Sequence, residues 1–191
     1  MNTFFDTEVE KALAVLQHGG VILYPTDTIW GLGCDATNET AIQKIYAIKN
    51  RADSKSLIIL VAQSRDLLQY VAAPDPAVFD YIEQQQRPTT IIFENAIALP
   101  GKLIAADGSI AIRVVKDPFC RHLIKRLRKP IVSTSANISG QASPQIFMEI
   151  PEAIRQQVDH IVKWRQEETT PAQPSQIVRL EKSGSVTVLR S

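Results

Sequence analysis

The chain has 191 residues, of which 45% are hydrophobic and 21% are charged, and its formal net charge is +1. Such a composition argues against intrinsic disorder, and the length fits one domain over residues 1–191. The longest apolar run, LIILVA at 57–62, is far shorter than the roughly 20 residues that cross a bilayer, and the N-terminus MNTFFDTEVE lacks a secretory signal. The sequence therefore predicts a cytoplasmic protein without a membrane partner.

A helix, a strand and a polar turn are predicted at the start of the chain. We expect Asp6 to cap a helix with apolar positions 9, 13 and 16 on one side, and Gly19–Gly20 to end it. VILY at 21–24 then begins a strand. The following PTDTIWGLG predicts a polar turn and a second extended segment, because Pro25 ends the run of ladder donors.

Helices and strands alternate along the rest of the chain. Asn38 begins a helix that brings Lys49 and Arg51 to its C-terminal end, LIILVA is a buried strand, and a helix follows from Ser64. The pattern further predicts helices at 76–85 and 117–127, an interrupted helical stretch at 144–158, and strands at 90–93, 110–114, 131–134, 160–163, 176–180 and 186–189. This predicts an α/β domain with a twisted, mixed parallel and antiparallel sheet flanked by helices. The polar segment 166–174 is the candidate mobile loop.

Four polar clusters stand at the ends of apolar segments, where open α/β sheets bind ligands. They are PTDT at 25–28, KNRADSK at 49–55, AIR at 111–113 and STSANISG at 133–140. Lys49, Arg51 and Lys55 suit a polyphosphate, although a solvated loop would carry the same residues. STSANISG is either an anion cradle or a helix cap and turn. Arg113, within the apolar strand AIRVV, is either an edge-facing surface residue or a charge kept for an anion.

The cysteines and histidines argue against redox and zinc chemistry. Cys34 and Cys120 form no CxxC motif, so we expect inert, buried thiols rather than a redox pair. The three histidines lack metal-ligand spacing, and we assign no metal-binding residue. Neither a GxxxxGKS/T motif nor a complete GxGxxG motif is present, so a nucleotide would need a different binding loop.

Five segments taken in order resemble the signatures of the YrdC-like family, also called TsaC, of threonylcarbamoyl-AMP synthases. They are YPTDTIWGLGCDA, KNRADSKSL, SIAIRV, PIVSTSANISG and QPSQIVRL, and the resemblance runs from about residue 19 to residue 190. It implies a nucleotidyltransferase with a large basic cavity that binds ATP, L-threonine and bicarbonate. Such enzymes form L-threonylcarbamoyladenylate and pyrophosphate, for the N6-threonylcarbamoyladenosine modification of tRNA position 37. Mg²⁺ is expected with ATP, and tRNA or tRNA-modification proteins are candidate partners.

The resemblance also implies roles for individual residues. Lys49 and Arg51 are the implied catalytic residues, which stabilise the charge of the transition state, and no nucleophile is required. The implied threonine and bicarbonate contacts are Thr26, Arg113, Ser135 and Asn137. The implied nucleotide contacts are Lys49, Arg51, Lys55, Ser109, Ser133, Ser135, Ser143 and Arg190. Ala52, Ser56, Gln176 and Arg179 depart from the family pattern, and so does the segment QRPT at 86–89.

Two alternatives stay open. Seven basic residues lie from Arg113 to Lys129 against one acid, Asp117, so the chain could be a non-catalytic factor that binds double-stranded RNA or tRNA. The helix there is amphipathic, and its cations could equally form a solvated face above a core. The second alternative is a related carbamoyl-adenylate chemistry with carbamoyl phosphate as donor, although the additional modules that accompany it in hydrogenase maturation proteins are missing from this sequence.

Overall fold

A computed structural model describes residues 4–50, 57–180 and 185–191. Within these residues, nine strands form one sheet in the order β7-β1-β2-β6-β3-β5-β4-β8-β9. The strands are β1 (Ile22–Tyr24), β2 (Gly31–Asp35), β3 (Ile58–Val61), β4 (Thr89–Phe93), β5 (Ile110–Val114), β6 (Ile131–Ser135), β7 (His160–Ile161), β8 (Gln176–Leu180) and β9 (Val186–Arg190). Three neighbouring pairs are parallel, β1 with β7, β3 with β5 and β4 with β8, and the other pairs are antiparallel.

Helices connect these strands. They are α1 (Phe4–Gln17), α2 (Glu39–Ile48), α3 (Ala77–Gln84), α4 (Pro118–Leu127) and α5 (Glu152–Arg155), with 3₁₀ turns at Ser64–Gln69, Gly101–Leu103 and Phe147–Glu149. Asn38 caps α2 by accepting a hydrogen bond from the Ala41 N–H, and Asp117 caps α4 by accepting one from the Cys120 N–H. No helix in the described part of the chain is long and apolar enough to cross a membrane.

The two faces of the sheet are covered differently. One face, with Leu32, Ile59 and Val132, packs into a large core against α2 and α3. The other face, with Tyr24 and Leu60, packs against α1 and α4 in a smaller core. Alternate strand positions point to opposite faces, so the part of this second face beyond α1 and α4 is free to form a binding site.

The expected α/β fold with a mixed sheet flanked by helices is confirmed. The expected cap at Asp6 is wrong, because α1 already includes Phe4 and therefore places Asp6 within its first turn. The helix expected from Ser64 is a 3₁₀ turn, and the stretch 144–158 contains only a 3₁₀ turn and the four-residue α5. Pro151, in the middle of the stretch, explains this interruption, since proline lacks the N–H that a continuing helix needs.

Gly33 lies in β2, where Tyr24 packs directly against the backbone. A Cβ atom built on Gly33 would lie 2.6 Å from Tyr24 Cε1, 3.0 Å from Ile131 Cγ2 and 3.1 Å from the Val132 carbonyl oxygen. These neighbours are buried, so they have little room to retreat. The absence of a side chain at this position is therefore a packing requirement.

We expect Gly33→Ala to lower the free energy of unfolding by about 1–3 kcal/mol, the usual cost of overpacking. Gly101→Ala is the control, because an added Cβ there meets nothing within 4 Å. Chemical denaturation of both variants checks this expectation. Equal stability of the two variants would contradict it.

Candidate active site

Two adjoining cavities occupy the uncovered part of the second face. The smaller, of about 220 Å³, and the larger, of about 480 Å³, share Thr28, Trp30 and Pro174 as lining residues. The two cavities are therefore neighbours, and together they are the candidate site. We call them the small cavity and the large cavity.

The floor of the small cavity consists of side chains from several strands. Ser133 pairs across the sheet with Gly33 and Ile58, while Arg113 pairs with Thr90, and Thr90 with Ile177. Gly31, which also lines the cavity, leaves the Ser133 hydroxyl uncovered, since a Cβ there would lie 3.1 Å from Ser133 Oγ. Small and polar residues at positions that would otherwise hold core side chains therefore create the hollow.

Two guanidinium groups lie at the small cavity. Arg113 is 3% exposed, and its Nη2 lies 3.0 Å from Asp27 Oδ1. Arg190 donates from Nη2 to the Ser175 carbonyl oxygen at 2.8 Å. The pKa of Arg190 is lowered from its usual value, mainly by partial burial and to a smaller extent by the positive charge of Arg113. Arginine stays protonated in proteins, so the charge of Arg190 remains. Two cations thus share a cavity that suits an anion.

The turn after β1 forms one wall of the large cavity, and Thr26 holds it together. The Thr26 hydroxyl donates to the Ile29 carbonyl oxygen at 2.8 Å and accepts from the Thr28 N–H at 3.0 Å. The hydroxyls of Thr26 and Thr28 lie 2.9 Å apart. Thr26 lines the large cavity, so the residue that supports the turn also faces the ligand space.

Lys49 supports the loop after β6. Its side chain is 2% exposed, and Nζ donates to the carbonyl oxygens of Ser135 and Asn137 and, at 3.2 Å, to Asn137 Oδ1. The Lys49 carbonyl oxygen in turn accepts from the Ser139 N–H at 2.9 Å. The end of α2 and the loop after β6 are therefore tied together by a buried ammonium group.

The Asn137 side chain forms its hydrogen bonds within the same loop. Its Nδ2 donates to the carbonyl oxygens of Ile138 and Gln141, and its Oδ1 accepts from the Ser135 hydroxyl. Together with the contact to Lys49, these bonds occupy both ends of the amide. In this arrangement Asn137 shapes the loop that presents Ser135 to the cavity.

The structure brings most of the sequence-predicted residues to this site. Five of them line the small cavity: Arg113, Ser133, Ser135, Ser143 and Arg190. Thr26 lines the large cavity, and Lys49 and Asn137 support the neighbouring loop. Ser109 is buried but lines neither cavity, and its N–H donates to Asp107. Arg51 and Lys55 lie outside the described residues.

The two departures from the family pattern in β8 also lie away from the cavities. Gln176 Nε2 donates to Thr89 Oγ1 at 2.7 Å, and Arg179 lies 3.8 Å from Asp107. Neither residue lines the small or the large cavity. Ala52 and Ser56, two further departures, lie outside the described residues.

The sequence left two options for Arg113, and the structure shows a buried residue rather than an edge-facing one. Sequence reasoning missed Asp27, Trp30 and Ser175 as lining residues. Asp27 lies inside the PTDT turn, so its position among polar neighbours was the available signal. Trp30 and Ser175 gave no such signal, because single aromatic or hydroxyl residues are common in loops.

The loop 166–174 forms the outer wall of the large cavity, which it lines from Glu168 to Pro174. Arg165, just before it, donates from Nη1 to the Thr26 carbonyl oxygen at 3.1 Å and lies 3.2 Å from Asp117 Oδ2. The Ala172 N–H donates to the Gln145 carbonyl oxygen. These contacts connect the loop to the turn after β1 and to α4.

The cysteines are buried, as expected. Cys34 and Cys120 are both free thiols within the core, and burial raises the pKa of each. A neutral thiol is a weak nucleophile, so neither residue is suited to covalent catalysis. Across the described ranges, no group of three or more His, Cys, Asp and Glu side chains is placed to hold a metal ion.

Comparison with known proteins identifies a family and several relatives of this chain. The family model Sua5_yciO_yrdC, described as "Telomere recombination", matches residues 14–191. The threonylcarbamoyl-AMP synthase of Idiomarina loihiensis is 35% identical over 164 residues, and the match covers 83% of this chain and 86% of that protein.

Solved structures share the fold. The P. abyssi Sua5 structure complexed with L-threonine has a TM-score of 0.83 at 23% identity, and the match covers 95% of this chain but 53% of that one. The present chain therefore spans about half the length of that protein. E. coli YciO has a TM-score of 0.80 at 24% identity, covering 96% of this chain and 88% of that one.

We expect Thr26→Val to lower the free energy of unfolding by about 1–3 kcal/mol, because the Thr28 N–H and the Ile29 carbonyl oxygen lose a buried partner. Thr40→Val, at an exposed position of α2, is the control and should change stability by less than about 0.5 kcal/mol. Denaturant unfolding measures both. A Thr26→Val variant as stable as the wild type would show that the hydroxyl does not support the turn.

Proposed function

The chain belongs to the Sua5/YciO/YrdC family, and we propose that it is an L-threonylcarbamoyladenylate synthase. Its substrates are L-threonine, bicarbonate and ATP, and its products are L-threonylcarbamoyladenylate and pyrophosphate. The observation that supports this most is a pair of cationic groups, the buried Arg113 and the exposed Arg190, beside serine hydroxyls in a cavity that adjoins a second one. Such a site suits two anionic substrates held side by side.

The amino acid binds where the two cavities meet. Its carboxylate pairs with the Arg113 guanidinium, and its side chain lies towards the threonine-rich turn at Thr26 and Thr28. Guanidinium groups hold carboxylates through two parallel hydrogen bonds, which fixes orientation as well as position. The amino acid thereby lies beside the nucleotide in the small cavity.

The nucleotide lies across the small cavity, where Ser133 and Ser143 offer hydroxyl donors and Arg190 a cation. The Ser135 hydroxyl, which donates to Asn137 Oδ1, can accept a hydrogen bond there. The threonine ammonium group loses a proton, and bicarbonate takes up a proton and loses water to form carbon dioxide. The neutral amine adds to the carbon dioxide and releases a second proton to solvent, which leaves a carbamate. A carbamate oxygen then attacks the α-phosphorus of ATP, and pyrophosphate leaves. Because negative charge grows on the phosphoryl oxygens and the leaving group, fixed cations lower the barrier.

Lys49 adds to the positive electrostatic field at the site from a fixed position. Its ammonium group is held by carbonyl oxygens of the loop after β6, so its charge is preorganised before any substrate arrives. Arg51 and Lys55 follow α2 in sequence, and we assign them to the phosphates on the strength of the sequence alone. Mg²⁺ would enter with ATP and be held mainly by phosphate oxygens and water, since the described residues offer no carboxylate cluster for it.

The product is the donor for threonylcarbamoylation of adenosine 37 in tRNA. Direct binding of RNA through the basic segment 113–129 receives less support from the structure. Arg113 is buried against Asp27, Lys129 Nζ lies 2.6 Å from Asp35 Oδ2, and Arg126 lies 3.7 Å from Glu10 Oε1. Three of the seven basic residues of this segment therefore have an acidic group close by, which reduces the positive charge available to an RNA backbone.

The proposed activity predicts pyrophosphate release that requires ATP, bicarbonate and L-threonine together. The purified protein is incubated with ATP, bicarbonate and each amino acid in turn, and pyrophosphate is measured. Threonine should give the highest rate, because the cavity pairs an anion site with a hydroxyl-lined turn. Salt-dependent tRNA binding without threonine-dependent release would contradict the proposal, as would release that needs carbamoyl phosphate in place of bicarbonate.

We expect Arg190→Gln to raise the KM for ATP roughly 10- to 100-fold, the usual effect of losing a charged hydrogen bond. The KM for threonine should change much less, because Arg190 belongs to the nucleotide side of the site. Arg121→Gln is the matched control, since Arg121 is an exposed residue of α4. Steady-state kinetics with each substrate varied separately measures the two constants, and an unchanged KM for ATP would remove Arg190 from the site.

A further inference from the structure

The Asp27 carboxylate has unused capacity to accept hydrogen bonds. Its side chain is 9% exposed, and its Oδ1 lies 3.0 Å from Arg113 Nη2. Yet neither of its oxygens accepts a hydrogen bond of suitable geometry from any described residue. An ionised carboxylate offers about four acceptor positions, and leaving them unused in a buried place is unfavourable. Asp27 therefore lacks the partners that a purely structural buried carboxylate normally has.

Asp27 differs in this respect from the other acidic residue that lines the large cavity. Glu168 accepts from Arg165 Nε through both of its oxygens, at 2.7 and 2.8 Å. Asp117, close by, caps α4 and also lies against Arg165. Of these three acidic groups, Asp27 is the one whose two oxygens both lack a hydrogen bond from a described residue.

We propose that Asp27 binds the α-ammonium group of the amino-acid substrate. This inference rests on the proposed function, in which an amino acid occupies the junction of the two cavities. An α-amino acid carries its carboxylate and its ammonium group on the same carbon atom, so the two charges reach a neighbouring cation and anion together. Arg113 and Asp27 form such a pair in the protein.

Binding then proceeds by exchange of partners. Both oxygens of Asp27 are buried, so the ammonium group reaches them as the Arg113 guanidinium turns to the substrate carboxylate. One ion pair within the protein is replaced by two between protein and substrate, and no charge is left buried without a partner. The ammonium group donates up to three hydrogen bonds, which matches the unused acceptor positions of Asp27.

Asp27 thereby makes the site selective for amino acids over hydroxy acids of the same shape. (R)-3-hydroxybutyrate has the carboxylate and hydroxyl of threonine but no amine. Its carboxylate can pair with Arg113, but it leaves Asp27 without a counter-ion. We therefore expect the wild-type protein to bind it at least roughly 10-fold more weakly than L-threonine, as removal of one charged hydrogen-bonding group usually does.

The test is calorimetric binding of L-threonine and of (R)-3-hydroxybutyrate to the wild type, Asp27→Asn and the control Asp80→Asn. Asp80 is an exposed residue of α3, remote in sequence from the turn. Asp27→Asn should weaken L-threonine binding roughly 10- to 100-fold, while the affinity for (R)-3-hydroxybutyrate stays the same or rises. ATP affinity should not change in either variant.

The outcomes separate this inference from the proposed function. Equal loss of affinity for both ligands would show that Asp27 only positions Arg113, and no loss would show that it has no part in binding. Either result overturns the inference but leaves the proposed synthase activity standing. Failure of the wild type to bind L-threonine would overturn both.

A crystal structure of the wild-type protein with L-threonine provides a test that does not depend on the variant folding. An ammonium nitrogen within about 3.2 Å of an Asp27 oxygen is the expected result, since this is the range of hydrogen-bond contact. A separation beyond about 4 Å would overturn the proposal.

Discussion

Buried positive charge is the constraint on which the rest of this structure depends. Lys49 and Arg113 both lie almost entirely within the protein, where an uncompensated cation would be strongly unfavourable. Each is compensated by a loop and not by the core: Lys49 by carbonyl oxygens after β6, and Arg113 by Asp27 after β1. The conformation of both loops is therefore linked to the charge that a ligand would meet.

A site can form on the sheet because helices cover its two faces to different extents. One face supports a large continuous core, whereas α1 and α4 cover only part of the other. On the uncovered part, Gly31 of β2 and Ser133 of β6 line the cavity. Larger apolar residues at these positions would fill it. The result is a hollow whose floor is rigid sheet and whose walls are loops, an arrangement that holds functional groups within narrow limits.

The loops around this hollow are connected to one another. Arg165 joins the outer wall of the large cavity to the Thr26 carbonyl oxygen and to Asp117 at the start of α4. Thr26 in turn fixes the turn that contains Asp27. A substrate that draws Arg113 away from Asp27 would therefore act on a turn that already contacts the outer loop.

The sequence by itself determined the class of fold and the order of most elements, and it indicated several of the residues that line the two cavities. Apolar periodicity and caps such as Asn38 and Asp117 act locally, so they can be read without knowing the neighbours. The tertiary structure alone decided that Arg113 is buried against Asp27 and that Lys49 is held by the loop after β6. It also decided that Ser109 lies away from both cavities. These facts depend on which residues, far apart in the chain, the sheet brings into contact, and no local pattern contains that information.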